Sequence, residues 1–521
     1  MSASPKFSRR DMLKLLATAP AAMSVSTHVS TLPRESSIKN NIVLLVFDAW
    51  SARSTSLYGY RRSTMPNFDQ WARKNALVFR QHHSAGNFTV PGTASLLTGT
   101  YPWTHRAINL GGRLNAAHAN HTIFDVMAPK LQTVAYAQNV NADQFLGQAA
   151  KAIFQHLPFG SFNITNQIIY DAPIFDKDAY TAFTAIDEGL VQFIFGTTGS
   201  LFLGPLLKLR AERAQVSAEP KHNQGYRFAL PKSVESYTLS AVMDGMLDTI
   251  KNLNEPSFVY FHVFVPHEPY MPYARQYNSF LNDGLDPIIR GSHPMVEDPI
   301  SPQKVILEKL KYDSFIASWD QELIRLFDYL DESNFTDSNH LFITSDHGEM
   351  HDLGLSGHWS KLMHEPLVHV PLVVAGPGLE KGQDVKAFTS NVDILPTIAH
   401  LAGLKIPAWT EGQILPGLGG EVDPERPIYM FEAGNEAAHA TLARYTISVI
   451  QSGRKLTYYQ YNKGSLYEAF DLRKDPNEDN NIYQQGIEPI QKLQVLLEQK
   501  LAEIGAVYQP TDATNNLEKA N

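Results

Sequence analysis

The sequence predicts an α/β fold: a large, mostly parallel sheet flanked by helices, followed by a small C-terminal antiparallel sheet. Three observations predict it. Uninterrupted apolar runs recur at residues 41–47 (NIVLLVF), 257–265 (SFVYFHVFV), 340–344 (HLFIT) and 369–375 (HVPLVVA), as strands buried on both faces require. Helical patterns lie between them at 66–75, 304–330 and 392–401, so strands and helices alternate as in a parallel sheet. After about residue 405 the texture changes. Pro, Gly and Trp punctuate 407–427, short strand-like pieces follow at 445–450 and 455–461, and a polar helix spans roughly 488–501.

In such sheets functional groups gather at the carboxyl ends of the strands. Asp48, His267 and Asp346 each lie just beyond an apolar run, so the three are expected on one edge. The main body is expected over 40–405 and the smaller C-terminal part over 406–505, with 506–521 as a tail. Residues 140–235 are less regular. Within them 189–207 (GLVQFIFGTTGSLFLGPLL) carries no charge but has four glycines and Pro205, which suits a membrane-spanning helix poorly. A buried or lid-forming segment is one reading of it; a surface that meets lipid or an apolar substrate is the other.

Composition narrows the function. The chain of 521 residues is 43% hydrophobic and 19% charged, ordinary for a globular protein. A net charge of −9 gives no electrostatic reason to expect a nucleic-acid partner. Cysteine is absent, which removes disulfides, thiolate metal sites and cysteine nucleophiles together. The N-terminus carries Ser8-Arg9-Arg10-Asp11-Met12-Leu13-Lys14 and then a short alanine-rich apolar stretch. It resembles a twin-arginine export signal, which implies removal of residues 1–34 from the fold, contact with the twin-arginine machinery, and a periplasmic or extracellular location.

The central motif runs from Asn87 to Gly99 (NFTVPGTASLLTG). Read physically, Thr89 is a hydroxyl residue at a helix entrance, with Pro91 in the first turn. Free N–H groups and the helix dipole there favour an anion. Most threonines so placed merely cap helices.

From Asp48 to Gly99 the sequence resembles the N-terminal signature of the sulfatases and their phosphoesterase relatives in the alkaline phosphatase/sulfatase superfamily. The pieces are Asp48, Leu57-Tyr58-Gly59-Tyr60, Thr64-Met65-Pro66-Asn67-Phe68-Asp69, and Leu96-Leu97-Thr98-Gly99 before Tyr101-Pro102. Further on, Ser345-Asp346-His347-Gly348, Pro266-His267-Glu268-Pro269-Tyr270, Gly357-His358-Trp359-Ser360-Lys361, Asp393-Ile394-Leu395-Pro396-Thr397 and Tyr467 to Leu472 match landmarks of the same family.

The resemblance implies a metal-dependent hydrolase of phosphoric or sulfuric esters. It places Asp48, Thr89, Asp346 and His347 around one divalent ion, Mn²⁺ or Zn²⁺ in preference to Ca²⁺ or Mg²⁺ because of the imidazole. Thr89 would attack and form a covalent intermediate, with His267, His358 and Lys361 handling protons and negative charge. Asn109 would bind the anion. Sulfatases carry an oxidisable Cys or Ser where Thr89 stands, and Ser-Arg where Gly92-Thr93 stand. Threonine's methyl prevents the aldehyde those enzymes use, so the resemblance leans toward the branch with an unmodified Thr. A small-molecule, lipid or glycan ester fits that branch. A phospho-group transferase and a non-catalytic binding protein on the same fold are the alternatives.

Overall fold

The computed structural model describes residues 40–162, 226 and 237–508, except 286, 288, 435, 463 and 484–487. They belong to one compact unit, residues 36–521. The export-like segment, residues 189–207 and the chain beyond 508 lie outside the described residues.

The main sheet has eight strands in the order β10-β2-β9-β6-β1-β5-β3-β4. They are β1 (Ile42–Phe47), β2 (Leu77–His83), β3 (Gln132–Ala137), β4 (Gln155–His156), β5 (Ser257–Val263), β6 (His340–Thr344), β9 (Leu372–Ala375) and β10 (Asp384–Ser390). Between β6 and β9 the chain makes a small hairpin of β7 (Met350–Asp352) and β8 (Leu355–Gly357). The central strand β1 is parallel to β5 and β6, and β3 is parallel to β5. Only β9 runs against its neighbours β6 and β2, which leaves β2 aligned with β6. The strand begins at Leu372 rather than at residue 369, because Pro371 has no N–H for the ladder.

Alternation along β1 divides the core. Val43, Leu45 and Phe47 face one apolar layer with Phe68, Trp319 and Leu323, while Ile42, Leu44 and Val46 face another with Leu96, Leu97 and Leu395. Helices α1 (Pro66–Asn75), α4 (Leu239–Lys251) and α5 (Pro302–Glu332) cover the first face. Helices α2 (Thr89–Thr98), α3 (Val140–Gln148) and α6 (Ile394–Leu401) cover the second. The apolar runs became strands because each residue has a packed layer waiting on its own side.

After residue 427 the chain forms a four-stranded antiparallel sheet, β11 (Ile428–Glu432), β12 (Tyr445–Gln451), β13 (Arg454–Tyr461) and β14 (Gly464–Asp471), and then helix α7 (Glu488–Glu503). One face packs on Leu493, Leu497 and Leu501 of α7. The other packs on Met350, Leu362 and Leu367 of the main body. The Phe431 N–H donates to the Ala85 carbonyl at 2.8 Å, which ties the small sheet to the loop leading into α2. Among the described residues no helix is long and apolar enough to cross a membrane.

Candidate active site

The register of the parallel strands delivers the site. Phe47 pairs with Val263 and Val46 with Thr344, so β1, β5 and β6 end level. Asp48 follows β1 directly, and its N–H donates to the Val263 carbonyl at 3.0 Å. Asp346 and His347 follow β6, Thr89 arrives from β2, and Asn139 follows β3. Side chains far apart in sequence therefore meet at one edge.

Thr89 is the first residue of α2; Phe88 holds the cap position and makes no side-chain cap bond. The Thr89 hydroxyl instead lies 3.3 Å from His347 Nε2 and accepts from Asn139 Nδ2 at 3.3 Å. Asn139 Nδ2 also donates to Asp48 Oδ2 at 2.7 Å. His347 Nε2 is 3.2 Å from Asp48 Oδ1 and 3.8 Å from Asp346 Oδ2. His262 Nε2 and the Thr93 hydroxyl reach Asp346 Oδ2 at 3.2 and 3.1 Å. All of these side chains are buried.

The electrostatics call for a cation. Burial works to raise the Asp48 carboxyl, but His267, His347 and His262 outweigh it and hold the group well below the usual carboxylate range. Burial opposes charge on His347, yet Asp346 and Asp48 push that ring up to about 9. Asp48 Oδ1 is nonetheless buried without a hydrogen bond. His347 Nδ1 lies 2.8 Å from the Gly348 carbonyl, which puts the proton of a neutral ring on Nδ1 and leaves the Nε2 lone pair facing the carboxylates. Asp48, His262 and Asp346 offer ligand atoms within 4.8 Å of one another. Two carboxylates, one of them with an orphaned oxygen, and an imidazole lone pair fit a divalent ion.

His267 and His358 stand beside this cluster. The His358 ring lies 4.5 Å from that of His347 and 4.8 Å from that of His267. Its Nδ1 is 2.9 Å from Glu349 Oε1, and its Nε2 is buried without a partner. Burial, with His347 and His267 adjacent, holds His358 well below its ordinary value; burial pushes Glu349 up to about 7. Lys361 sits further out, with its ammonium 2.6 Å from Glu297 Oε1. Asn109 is not brought to the cluster by any hydrogen bond among the described residues; its carbonyl takes the Gly112 N–H in a turn. The amide at Thr89 belongs to Asn139.

Asn139, His262, Thr93 and Glu349 escaped the sequence reading. His262 had a signal, since it is the one polar residue inside the apolar core of the 257–265 run. Asn139 had none, because β3 is short and mixed and its register shows only in three dimensions.

A second cluster, His293, His364 and Glu468, also has ligand-like spacing. There the Met295 N–H donates to His293 Nδ1 at 3.1 Å, so the proton of the neutral ring stays on Nε2, facing Glu468 Oε1 at 3.0 Å. A protonated nitrogen cannot ligate. This cluster is an ion and hydrogen-bond network.

A hydroxyl at a helix entrance, set among buried carboxylates and imidazoles on the carboxyl edge of a mostly parallel sheet, defines the architecture as an α/β fold with a polar site at its strand ends. The sulfatase family model matches residues 40–404, and that for the C-terminal part of N-sulphoglucosamine sulphohydrolase matches 354–506. The chain belongs to the sulfatase family. It is 29% identical to a choline-sulfatase of Rhizobium meliloti over 238 residues, covering 42% of this chain and 44% of that enzyme. The chain thus spans less than half of that relative's length. It is 22% identical to a multifunctional alkaline phosphatase superfamily protein of Trinickia caryophylli over 85% of this chain and 91% of that one. The solved phosphonate monoester hydrolase of Agrobacterium radiobacter shares the fold, with a TM-score of 0.61 at 18% identity over 89% of this chain and 95% of that one.

Proposed function

We propose that this protein is a metal-dependent hydrolase of phosphoric esters in which an unmodified Thr89 is the nucleophile; sulfuric esters are the second choice. The observation that carries the reading is the Thr89 hydroxyl, which ignores its own helix and turns to His347 and Asn139. Relatives named for sulfate and phosphonate esters support the ester class. One divalent ion, Mn²⁺ or Zn²⁺, would be held by Asp48, Asp346, His347 and the Thr89 oxygen, with His262 beside it. Such an ion supplies Lewis acidity and lowers the pKa of a hydroxyl at neutral pH.

The chain's own residues do the rest. Asn139 orients Thr89 and Asp48 together. A bond forms from Thr89 Oγ1 to phosphorus as the bond from phosphorus to the ester oxygen breaks. The proton of the hydroxyl passes to His267, against which the neutral His358 ring packs, and is returned to the departing oxygen. Water then cleaves the phosphothreonine and restores the enzyme. Aryl phosphate mono- and diesters, phosphonate esters and aryl sulfates, each assayed across metals, test the class. A phosphoryl group trapped on Thr89 in acid-quenched turnover is the expected result. Turnover of aryl sulfates alone, with no adduct on Thr89, would overturn it.

The N-terminal motif supports export by the twin-arginine route, and Arg9→Lys with Arg10→Lys should leave the protein inside the cell. Residues 189–207 support contact with a membrane surface, which liposome flotation tests.

A further inference from the structure

Helix α2 sends two hydroxyls to the site from one face. Thr89 and Thr93 are one helical turn apart. The Thr89 hydroxyl meets His347 and Asn139, while the fully buried Thr93 hydroxyl donates to Asp346 Oδ2 at 3.1 Å. The same carboxylate oxygen is met from the sheet. Phe258 and Tyr260 of β5 point into the apolar layer beneath α2, and strand alternation carries His262 to that side. Its Nε2 lies 3.2 Å from Asp346 Oδ2 and 3.4 Å from Thr93 Oγ1.

The position of the proton on this ring decides what His262 can do. Thr93 spends its hydrogen on Asp346, so His262 Nε2 faces two acceptors, whereas Nδ1 is buried without a partner. Neutral or charged, the ring therefore carries a proton on Nε2. His347 is arranged the other way round. Its Nδ1 faces the Gly348 carbonyl at 2.8 Å, and its Nε2 lone pair is left for the carboxylates' side. Both imidazoles reach the carboxylates, but only the ring of His347 offers them a ligating nitrogen. His262 completes a clamp instead. Asp346 Oδ2 takes Thr93 and His262, and Oδ1 takes the His347 N–H at 3.0 Å. Three donors fix the plane of the carboxylate, and of its roughly four acceptor positions one stays open. An arginine at residue 93, where the sulfatase motif has it, would compete for the corner that the His262 ring fills 3.4 Å from Thr93. The short threonine and the histidine inside an apolar strand belong together.

We propose that His262 and Thr93 are positioning residues that jointly hold the Asp346 carboxylate in its ligating orientation, with His262 acting as a donor through Nε2 and not as a ligand. The inference rests on the reading of Asp346 as a ligand of the divalent ion. Outer partners of this kind orient a ligand and set affinity without touching the ion.

Affinity of the full chain for Zn²⁺ and for Mn²⁺, read by competition with a chromophoric chelator, tests this without turnover. His262→Leu and Thr93→Val each remove one donor and should weaken binding by about 10- to 100-fold. His262→Gln returns an N–H near the place of Nε2 and Thr93→Ser returns the hydroxyl, so both should stay within about threefold of the parent. The d–d absorption of the Co²⁺-loaded protein should be the same in His262→Gln as in the parent, since the ligand set is unchanged. Circular dichroism establishes folding, and Thr93→Val, which keeps the side-chain volume, carries the test if the leucine variant does not fold. Parent-like affinity in His262→Leu or in Thr93→Val would overturn the clamp. His262→Gln binding as weakly as His262→Leu, with an altered Co²⁺ spectrum, would make His262 a ligand and overturn it equally. Asp346→Ala keeps the two readings apart. Retention of the ion there removes the ligand assignment and the clamp with it; loss of the ion there, with His262→Leu and Thr93→Val unaffected, removes the clamp alone.

Discussion

Two roles are open to Thr89, and its hydrogen bonds speak against the capping one. A capping threonine would accept from an N–H of the first turn; here Pro91 has none and Phe88 is the cap residue. The hydroxyl faces His347 and Asn139 instead. Thr89→Ala should then lower kcat by on the order of 10³-fold or more, with the melting temperature nearly unchanged. Thr89→Ser keeps the oxygen and should retain measurable turnover. Full activity in a folded Thr89→Ala protein would remove Thr89 from the chemistry. At this scale the sequence was informative wherever a residue sat in a motif: Asp48, Thr89, Asp346 and His347 were all singled out. It was silent on Asn139, because an amide's role depends on which strand end it reaches and not on its distance from Thr89 along the chain.

Helix α2 can hold Thr89 in place only because it presses against the loop after β6. A Cβ added at Gly92 would lie 2.2 Å from the Asp346 carbonyl oxygen, far inside contact distance. The Gly92 carbonyl in turn accepts from Asn391 Nδ2 at 2.9 Å. Gly92→Ala must therefore push α2 away from Asp346, and we expect a destabilisation of about 1–3 kcal/mol together with loss of turnover beyond what stability explains. Denaturant unfolding alongside kinetics checks both. A Gly92→Ala protein of normal stability and activity would mean that this packing is loose. Element by element, the main-sheet strands written as continuous apolar runs were legible and those of mixed sequence were not. β2 (LVFRQHH) and β10 (DVKAFTS) are mixed sequences near one margin of the sheet, and their polar residues break the continuous apolar signal.

Across the whole molecule a buried ion network joins the small sheet to the main body. Lys455 of β13 lies 3.0 Å from Glu365 and 2.9 Å from Glu478. His364 sits between Glu478 at 3.1 Å and Glu468 at 3.3 Å. Burial disfavours a charged His364, but Glu478 and Glu468 outweigh it and raise the ring from 6.5 to about 9. A raised folded value means the stabilisation is complete below pH 6.5 and is lost as pH rises through 9. Counted once, on His364, it amounts to roughly 3 kcal/mol. Melting temperature should fall between pH 7 and 10 in the parent protein, and that slope should flatten in His364→Gln; identical slopes would dismiss the network as a source of stability. Metal has its own test at this scale. Chelation should abolish turnover and lower the melting temperature by roughly 5 °C, and Mn²⁺ or Zn²⁺ should restore both, but not in Asp346→Ala. A chelator without effect would count against the ion.

The sequence by itself determined the fold class, the apolar runs that form the central strands and the residue types that follow them. Each follows from local pattern: an apolar run needs two packed faces, and a motif keeps its residues within one loop. Tertiary structure alone decided that β9 runs antiparallel, that Asn139 and His262 join the site, and that Lys361 is engaged by Glu297. Those are properties of register and packing between segments hundreds of residues apart, and no local pattern encodes which strand ends will stand level.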